Sequence, residues 1–339
     1  MKPAKLFFLF VLATLLVYGA AGFYFLPLAT FQGDLTRMAL LPESLFGWTK
    51  HQPPIDPKWM QQADIQEADV LVIGDSFSEN RIWQTVLTQQ GLKVRTETWN
   101  STRGICTDFM PWLSKQGFTG KYLIFEFIER NLVKELNKSV SCLQMQYRPN
   151  IHSDTPPSPP IVSFNTNLGN YSGKLSIGIR TYLNMLKYEN LRQSTDFRNW
   201  ALPNKVLMKR VVNGCKLFSH ARCNDALFLA EDKAEDVEIS ALKSIELLNS
   251  RLNGVTPIWV FVPNKSTAYL YPDKTFWKTL ELNRFYAPNL LRFTQQAIRD
   301  ETIDLYPANN THFSTTGYFL MGEAILKTMR QATPLKNAY

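Results

Sequence analysis

Charged residues are missing from the first part of this 339-residue sequence, where none occurs from Leu6 to Leu26. The segment is almost wholly apolar and is about as long as the roughly 20 residues that a helix needs to cross a bilayer. Lys2 and Lys5 precede it, and no basic cluster follows at once. The positive-inside tendency therefore predicts a cytoplasmic N terminus and a chain that lies outside the cytoplasm after the span.

We predict that residues 1–30 form a cytoplasmic tip and a single transmembrane anchor, with membrane contact through residues 6–26. The alternative is a cleaved signal peptide, for which Gly19-Ala20-Ala21 offers small residues at about the right place. The apolar run continues past that point to Leu26, which is longer than a usual signal core.

Metal-binding and nucleic-acid-binding patterns are also lacking. The sequence has no Cys-x-x-Cys pair and no cluster of histidines, so we predict no metal site, and we predict no cofactor. The net charge of +8 suits an anionic glycan or membrane surface. Lys and Arg are scattered along the chain rather than gathered into a stripe, which argues against nucleic-acid binding.

Cysteines are few, but their number is even, as expected for disulfides in an oxidising compartment. Cys215 and Cys223 are close in sequence and bracket a polar stretch, so we predict that they pair. A Cys106–Cys142 disulfide is the second possibility, and two free thiols are the alternative.

The stretch Val70–Ile73 followed by Gly74-Asp75-Ser76 is the most informative part of the sequence. A continuous Val/Ile/Leu run is typical of a buried parallel strand, and ligands of such sheets lie beyond the carboxyl ends of the strands. Ser76 would lie at that edge, where helix N-terminal amides favour a developing oxyanion. The alternative is an ordinary turn in which Asp75 and Ser76 only cap the next helix.

Strand-like and helix-like segments alternate along the rest of the chain, which predicts an α/β fold with a mostly parallel sheet and helices on both faces. The predicted strands are residues 69–73, 93–98, 122–128, 257–262 and 302–305. The predicted helices lie near residues 82–90, 239–252, 290–298 and 315–329.

Three regions are predicted outside the membrane. Prolines break any long periodic pattern in residues 31–64, which predicts an extended lead-in. Residues 65–335 form the α/β domain. Within it, residues 148–175 are too rich in proline for regular structure, and helical spacing follows at Ile179, Leu183 and Leu186, then at Val206, Leu207 and Val211. We therefore predict an inserted loop and a helical cap at about 148–225.

Near the C terminus, Thr311-His312-Phe313 places a histidine just before a helix. Gly-Asp-Ser early and Thr-His-Phe late resemble the SGNH hydrolase superfamily. Within it, the sequence is most similar to the SGNH-like periplasmic proteins that O-acetylate exopolysaccharides such as alginate, and more distantly to the D-alanyl transfer protein of teichoic acids. Glu126–Arg130 resembles that group's strand ending in Glu-Arg, and residues 262–269 resemble its Pro-x-Lys-x-x-x-Tyr segment.

The resemblance covers roughly residues 65 to 330 and implies a flavodoxin-like SGNH fold. It implies that Ser76 is the nucleophile and His312 the base, with oxyanion amides on Ser76 and Gly104. The Gly-x-Ser-x-Gly elbow of α/β-hydrolases is absent, since Ser78 closes the motif here.

The sequence departs from the family where an aspartate precedes the histidine, because Asn309 and Asn310 stand there. An amide oxygen can still orient an imidazole, although it stabilises imidazolium less than a carboxylate does. Asp304 is another candidate for this role, and an inactive site is the alternative. The family's Gly-x-Asn-Asp block is also missing, and Glu129 and Arg130 follow the strand instead, as a pair at the rim of the site or as a structural link.

The resemblance also implies Asn100, Arg130, Lys265 and Tyr269 as substrate-binding residues. It implies a membrane-anchored periplasmic O-acetyltransferase acting on a bacterial polysaccharide, with a multispanning membrane O-acyltransferase as the partner that delivers acetyl. A carbohydrate acetylesterase is one alternative. A catalytically degenerate glycan-binding or scaffold subunit is another.

Overall fold

The computed structural model describes residues 3–146, 157, 173–192, 200–202, 205–232, 235–283 and 285–332. Its strands are β1 Val70–Gly74, β2 Val94–Thr98, β3 Tyr122–Ile128, β4 Trp200–Leu202, β5 Val206–Arg210, β6 Asp225–Leu229 and β7 Thr256–Val262. Its helices are α1 Pro3–Phe25, α2 Asp34–Ala39, α3 Glu43–Phe46, α4 Ser76–Glu79, α5 Gln84–Thr88, α6 Trp99–Thr102, α7 Phe109–Lys115, α8 Leu132–Ser141, α9 Leu175–Arg192, α10 Gly214–Leu217, α11 Ser240–Asn249, α12 Lys265–Tyr269, α13 Thr275–Leu280, α14 Leu290–Arg299 and α15 Thr315–Ala332.

The chain divides into two compact units. The first comprises Met1–Lys50, Ser163–Ala230 and Pro307–Thr311. The second comprises His51–Val162, Glu231–Tyr306 and His312–Tyr339.

The second unit contains the central sheet, whose four strands run parallel in the order β2-β1-β3-β7. Every residue of β1 is buried, and β3 and β7 are nearly as fully covered, as the apolar runs in their sequences predict. Parallel strands end at one edge, so Gly74, Thr98, Ile128 and Val262 bring their following loops together. The prediction of an α/β protein with a mainly parallel sheet surrounded by helices is confirmed.

The predicted strand at residues 302–305 is wrong. This segment is a turn, in which Glu301 and Asp304 adopt left-handed φ angles of 53° and 56°. A left-handed residue interrupts the extended backbone that a strand ladder requires. The carbonyl of Leu305 instead accepts the Ser314 N–H at 3.0 Å, which closes the loop before α15.

The first unit contains α1 and an antiparallel sheet in the order β4-β5-β6. The predicted helical spacing at Val206, Leu207 and Val211 is therefore wrong, and in the described residues of the cap region the long helix α9 is followed by a sheet. Val206 pairs with Leu229. Val206 and Met208 are buried, while Leu207 and Lys209 are half-buried, which is the period-two pattern of a strand.

The predicted extended lead-in at 31–64 is also wrong for residues 34–46, which form α2 and α3. Leu35, Leu41 and Phe46 are fully buried in the core of the first unit, together with residues of α9 and of its sheet. Leu40 ends α2 with a left-handed φ of 49°, and Pro42 directly precedes α3 as its N-cap, where a proline does not interrupt a helix. The predicted inserted loop lies almost wholly outside the described residues.

Helix α1 is long and apolar enough to span a membrane, with a mean hydropathy of 2.3 over its most apolar window. Both cysteine pairs form disulfides, Cys215–Cys223 in the first unit and Cys106–Cys142 in the second. The predicted pairing is confirmed, and the disulfides point to an oxidising compartment.

Candidate active site

The Gly-Asp-Ser turn holds Ser76 at the carboxyl edge of the central sheet. Gly74 ends β1, Asp75 caps α4, and Ser76 is the first residue of that helix. The Asp75 carboxylate accepts the Phe77 N–H at 3.0 Å and the Ile128 N–H at 2.8 Å, which ties the turn to β3. The Ser76 side chain is consequently fixed at the surface and exposed.

Glu126 supports this turn from below. Its carboxyl Oε2 accepts the Asp75 N–H at 3.0 Å and the Ser78 hydroxyl at 2.9 Å. A Cβ at Gly74 would lie only 2.6 Å from the same oxygen, so only glycine fits there. Burial, and then the charge of Asp75, raises the pKa of Glu126 well above its ordinary value. Burial therefore favours the neutral form of Glu126 beneath the nucleophile.

His312 lies beside Ser76, with 2.8 Å between its Nε2 and the serine Oγ. In the tautomer that carries its proton on Nδ1, Nε2 can accept the hydroxyl proton. The Phe77 ring packs against the imidazole with centroids 4.7 Å apart. Phe77 also contacts Phe313 at 5.7 Å, so the aromatic core beneath the loop limits the positions that the ring can take.

A cavity of about 340 Å³ opens over Ser76. Its floor includes Trp99 and Phe127, whose rings stack with centroids 4.6 Å apart. Its remaining wall is polar and charged and is formed by Asp75, Glu79, Thr98, Asn100, Asn131, Lys134, Glu135 and Lys138. The cavity therefore offers an apolar platform surrounded by hydrogen-bonding groups, both cationic and anionic.

Two hydrogen-bond donors near Ser76 are available to bind an oxyanion. Within the described part of the chain, the Ser76 N–H and the Asn100 side-chain amide have no hydrogen-bond partner. Gly104, the other predicted oxyanion donor, has a φ of 149° and packs against Ser139 of α8. The backbones of Gly104 and α8 lie close together, so that a Cβ at Gly104 would come within 3.3 Å of the Ser139 Cα.

Asn309 and Asn310 belong to the first unit. The Asn309 side-chain amide donates to the buried carboxylate of Glu43, and its backbone carbonyl accepts the Leu35 N–H at 3.0 Å. The Asn310 N–H donates to the Pro307 carbonyl at 3.1 Å, and the residue is half-buried. Asp304 is fully buried, and its charge helps burial to raise the pKa of Tyr269.

Arg130, Lys265 and Tyr269 lie together beyond β3 and β7. Arg130 pairs with Asp232 across 3.3 Å rather than with Glu129, which accepts the Asn264 N–H at 2.8 Å. Lys265 is buried, and its charge also acts on Asp232. The Tyr269 hydroxyl accepts the Tyr306 N–H at 3.4 Å. Arg130 and Lys265 thus both act on the buried Asp232, whereas Tyr269 contacts Tyr306.

The sequence did not predict the role of Glu126 beneath the turn or the lysines of the cavity wall. Glu126 carried a usable signal, because a single carboxylate in an otherwise apolar strand demands local partners. Lys134 and Lys138 are four residues apart and so share one face of α8, but this pattern does not reveal which surface the face meets.

No protein-family model, curated protein or solved structure matches this chain. Among the described residues, no group of three or more His, Cys, Asp or Glu side chains is placed to hold a metal ion.

Proposed function

We propose that this protein is a membrane-anchored, SGNH-like O-acetyltransferase that acylates a bacterial polysaccharide outside the cytoplasmic membrane. The 2.8 Å contact between Ser76 Oγ and His312 Nε2, at the mouth of a polar cavity, is the observation that carries the proposal. A serine hydroxyl needs a base and oxyanion donors to act as a nucleophile at neutral pH, and this site offers both.

Acyl transfer would proceed in two balanced steps. Ser76 Oγ attacks the carbonyl carbon of an acetyl ester while its proton passes to His312 Nε2, and the Ser76 N–H and Asn100 amide hold the oxyanion. Collapse breaks the ester bond, and the leaving oxygen takes the proton from His312. A sugar hydroxyl then attacks the acetyl-serine carbonyl and gives its proton to His312. Collapse breaks the bond between the acetyl group and Ser76 Oγ, which takes the proton back from His312, and the acetylated sugar leaves.

The anchor and the disulfides support the cellular setting. Helix α1 can span a bilayer, and the flanking Lys2 and Lys5 favour a body outside the cytoplasm. Acetyl groups would then have to cross the membrane, so the proposed partner is a multispanning membrane O-acyltransferase. Asn310 is the proposed orienting residue for the imidazole, because Asn309 is occupied by Glu43.

An acetyl-serine intermediate tests the proposal. The full-length protein in detergent would be mixed with a chromogenic acetyl ester, quenched early, and analysed by peptide mass spectrometry. We expect a 42 Da adduct on Ser76, an adduct-free Ser76→Ala variant, and a wild-type pattern in the exposed control Ser141→Ala. Absence of any adduct and of turnover in the wild type would favour a non-catalytic glycan-binding subunit, for which the asparagine before His312 is the supporting observation.

The acceptor distinguishes transferase from esterase. We expect the quenched reaction to yield an acetylated oligosaccharide when an oligosaccharide is present. Release of acetate alone, at a rate that the oligosaccharide does not change, would assign the protein as an esterase.

A further inference from the structure

Helix α9 exposes an apolar stripe. Ile179, Leu183 and Leu186 are 38%, 52% and 42% exposed. Their spacing places the three side chains within about 60° of the helix circumference. The opposite face carries the buried residues Thr181 and Tyr188, so α9 is packed on one side, and the stripe on the exposed side is interrupted only at its ends by Ser176 and Asn190. An exposed apolar stripe of this kind indicates an interaction surface.

The stripe begins beside the end of α1. The Tyr182 ring contacts Phe25 and Tyr24 with centroid distances of 5.5 and 5.7 Å. Gly178 lies so close to the Phe25 carbonyl that a Cβ would overlap it. Aromatic side chains are enriched where a membrane span meets the headgroups. The first turns of α9 are therefore fixed where the apolar span of α1 ends.

Basic residues border the stripe on its other side. Arg180 and Lys187 are exposed, and helical geometry places them about 40–60° beyond Leu183, away from Tyr182. Glu189, the only acidic residue of α9, lies elsewhere on the helix and pairs with Arg222 across 2.5 Å. The exposed face thus combines apolar side chains with net positive charge, as in helices that lie in the interface of an anionic bilayer.

We propose that α9 is a second membrane contact, which lies in the headgroup region of the outer leaflet with Ile179, Leu183 and Leu186 toward the acyl chains and Arg180 and Lys187 on lipid phosphates. The proposal goes beyond acyl transfer and rests on α1 being retained as a membrane span. Lipid is the proposed occupant because the first turns of α9, where the stripe begins, pack against the end of that span through Tyr182 and Gly178.

Photocrosslinking would test this contact. Benzoylphenylalanine is placed at Leu183, at Leu12 of α1, and at Leu247 of α11, which is an equally exposed leucine of the second unit. Each full-length variant is reconstituted into phosphatidylethanolamine–phosphatidylglycerol vesicles and irradiated. We expect lipid adducts at Leu183 and Leu12 and none at Leu247. Circular dichroism and protection of the Cys215–Cys223 disulfide from alkylation serve as folding controls.

The contribution of the basic residues to lipid binding gives a second test. Adding R180E and K187E to the Leu183 probe should decrease lipid adducts about fivefold or more in vesicles with phosphatidylglycerol, and leave them unchanged in phosphatidylcholine alone. A Leu183 probe as unreactive as Leu247 would overturn the proposal, as would equal effects of the double change in both vesicles. If the Leu183 probe in cell membranes gave a protein adduct and no lipid adduct, the surface would bind a partner protein, and the proposed lipid contact would be wrong. Absence of lipid adducts at Leu12 would show that α1 does not span the membrane, and the proposal that rests on it would also be wrong.

Discussion

At the scale of single residues, Asn309 has a structural role inside the first unit. Its Nδ2 donates to Glu43, a buried carboxyl whose pKa burial raises above its ordinary value. The Gly33 N–H also donates to this carboxyl at 3.2 Å. Asn309 therefore satisfies a buried acceptor in the first unit.

We predict that Asn309→Asp destabilises the protein, because it replaces a donor with a second carboxylate beside Glu43. The expected loss is about 1–3 kcal/mol in the free energy of unfolding, measured by urea unfolding of the full chain in micelles. The matched change Asn310→Asp should keep wild-type stability and keep or raise esterase turnover. Equal losses of stability in both variants would contradict this division of roles.

Asp232 makes stability depend on pH. Burial raises its pKa to about 6, although the neighbouring Arg130 lowers it in part. The folded chain then holds a proton that the unfolded chain has already released. This contribution to stability is complete below the ordinary aspartate pKa and is lost as the pH rises through about 6.

We therefore predict that the wild-type free energy of unfolding decreases by up to about 3 kcal/mol more than that of Asp232→Asn between about pH 4 and pH 6.5. Urea unfolding at several pH values, followed by tryptophan fluorescence, measures the difference. Parallel pH profiles for the two proteins would show that Asp232 does not hold this proton.

The sequence predicted that Ser76 and His312 meet at the edge of the sheet, but it did not predict the long-range contacts of the residues around them. Ser76 followed a strand run and a turn, and His312 preceded a helix, so both could be placed at ends of elements. The partners of Asn309 and Arg130 are 266 and 102 residues away in sequence, at Glu43 and Asp232. Such pairs follow from tertiary contacts that no local pattern encodes.

At the scale of elements, the two disulfides close loops of different length. Cys106–Cys142 joins the loop after α6 to the end of α8 over 36 residues, and Cys215–Cys223 spans only eight. Closing a longer loop removes more entropy from the unfolded chain, by about 4 against about 2.5 kcal/mol.

We predict that replacing Cys106 and Cys142 by serine costs about 1 kcal/mol more stability than replacing Cys215 and Cys223. Urea unfolding of both double variants gives the comparison. In the wild type, all four cysteines should resist alkylation until a reductant is added. A larger loss from the short loop would contradict the prediction.

Strands β1, β3 and β7 could be predicted because each is almost wholly buried and reads largely as an apolar run. Strand β2 carries Arg95 and Glu97, and its signal is instead the β-branched residues at alternate positions, Val94, Thr96 and Thr98. The segment from Val206 could not be predicted, since its apolar residues fit a helix and a half-buried strand equally well. Pairing with β6 settles the choice, and β6 lies 15 or more residues further along the chain. The turn at Asp304 fails as a strand because of a left-handed backbone angle, which an aspartate permits but does not demand.

At the scale of the whole molecule, the first unit is assembled from three separate parts of the chain. The lead-in supplies Leu35, Leu41 and Phe46 to its core. The sequence pattern of the lead-in does not reveal this packing, because the residues that it contacts come more than a hundred positions later in the chain.

We predict that a chain starting at Thr30 folds, whereas a chain starting at His51 does not retain the first unit. Loss of three buried side chains would cost about 7–15 kcal/mol, which is comparable with the roughly 5–15 kcal/mol that stabilises a typical domain. Size-exclusion chromatography and limited proteolysis between Lys205 and Asp232 would distinguish the two fragments. Equal protection of this region in both would show that residues 31–50 are dispensable.

The central claim is that Ser76 and His312 form one acyl-transfer unit. Groups that act together are non-additive, so Ser76→Ala, His312→Ala and the double variant should all reduce turnover of a chromogenic acetyl ester to the same residual level. The measurement is the steady-state rate of the full-length protein at several pH values, with Ser141→Ala as the control. Wild-type turnover in Ser76→Ala, or losses from the two single changes that add in the double variant, would contradict the account.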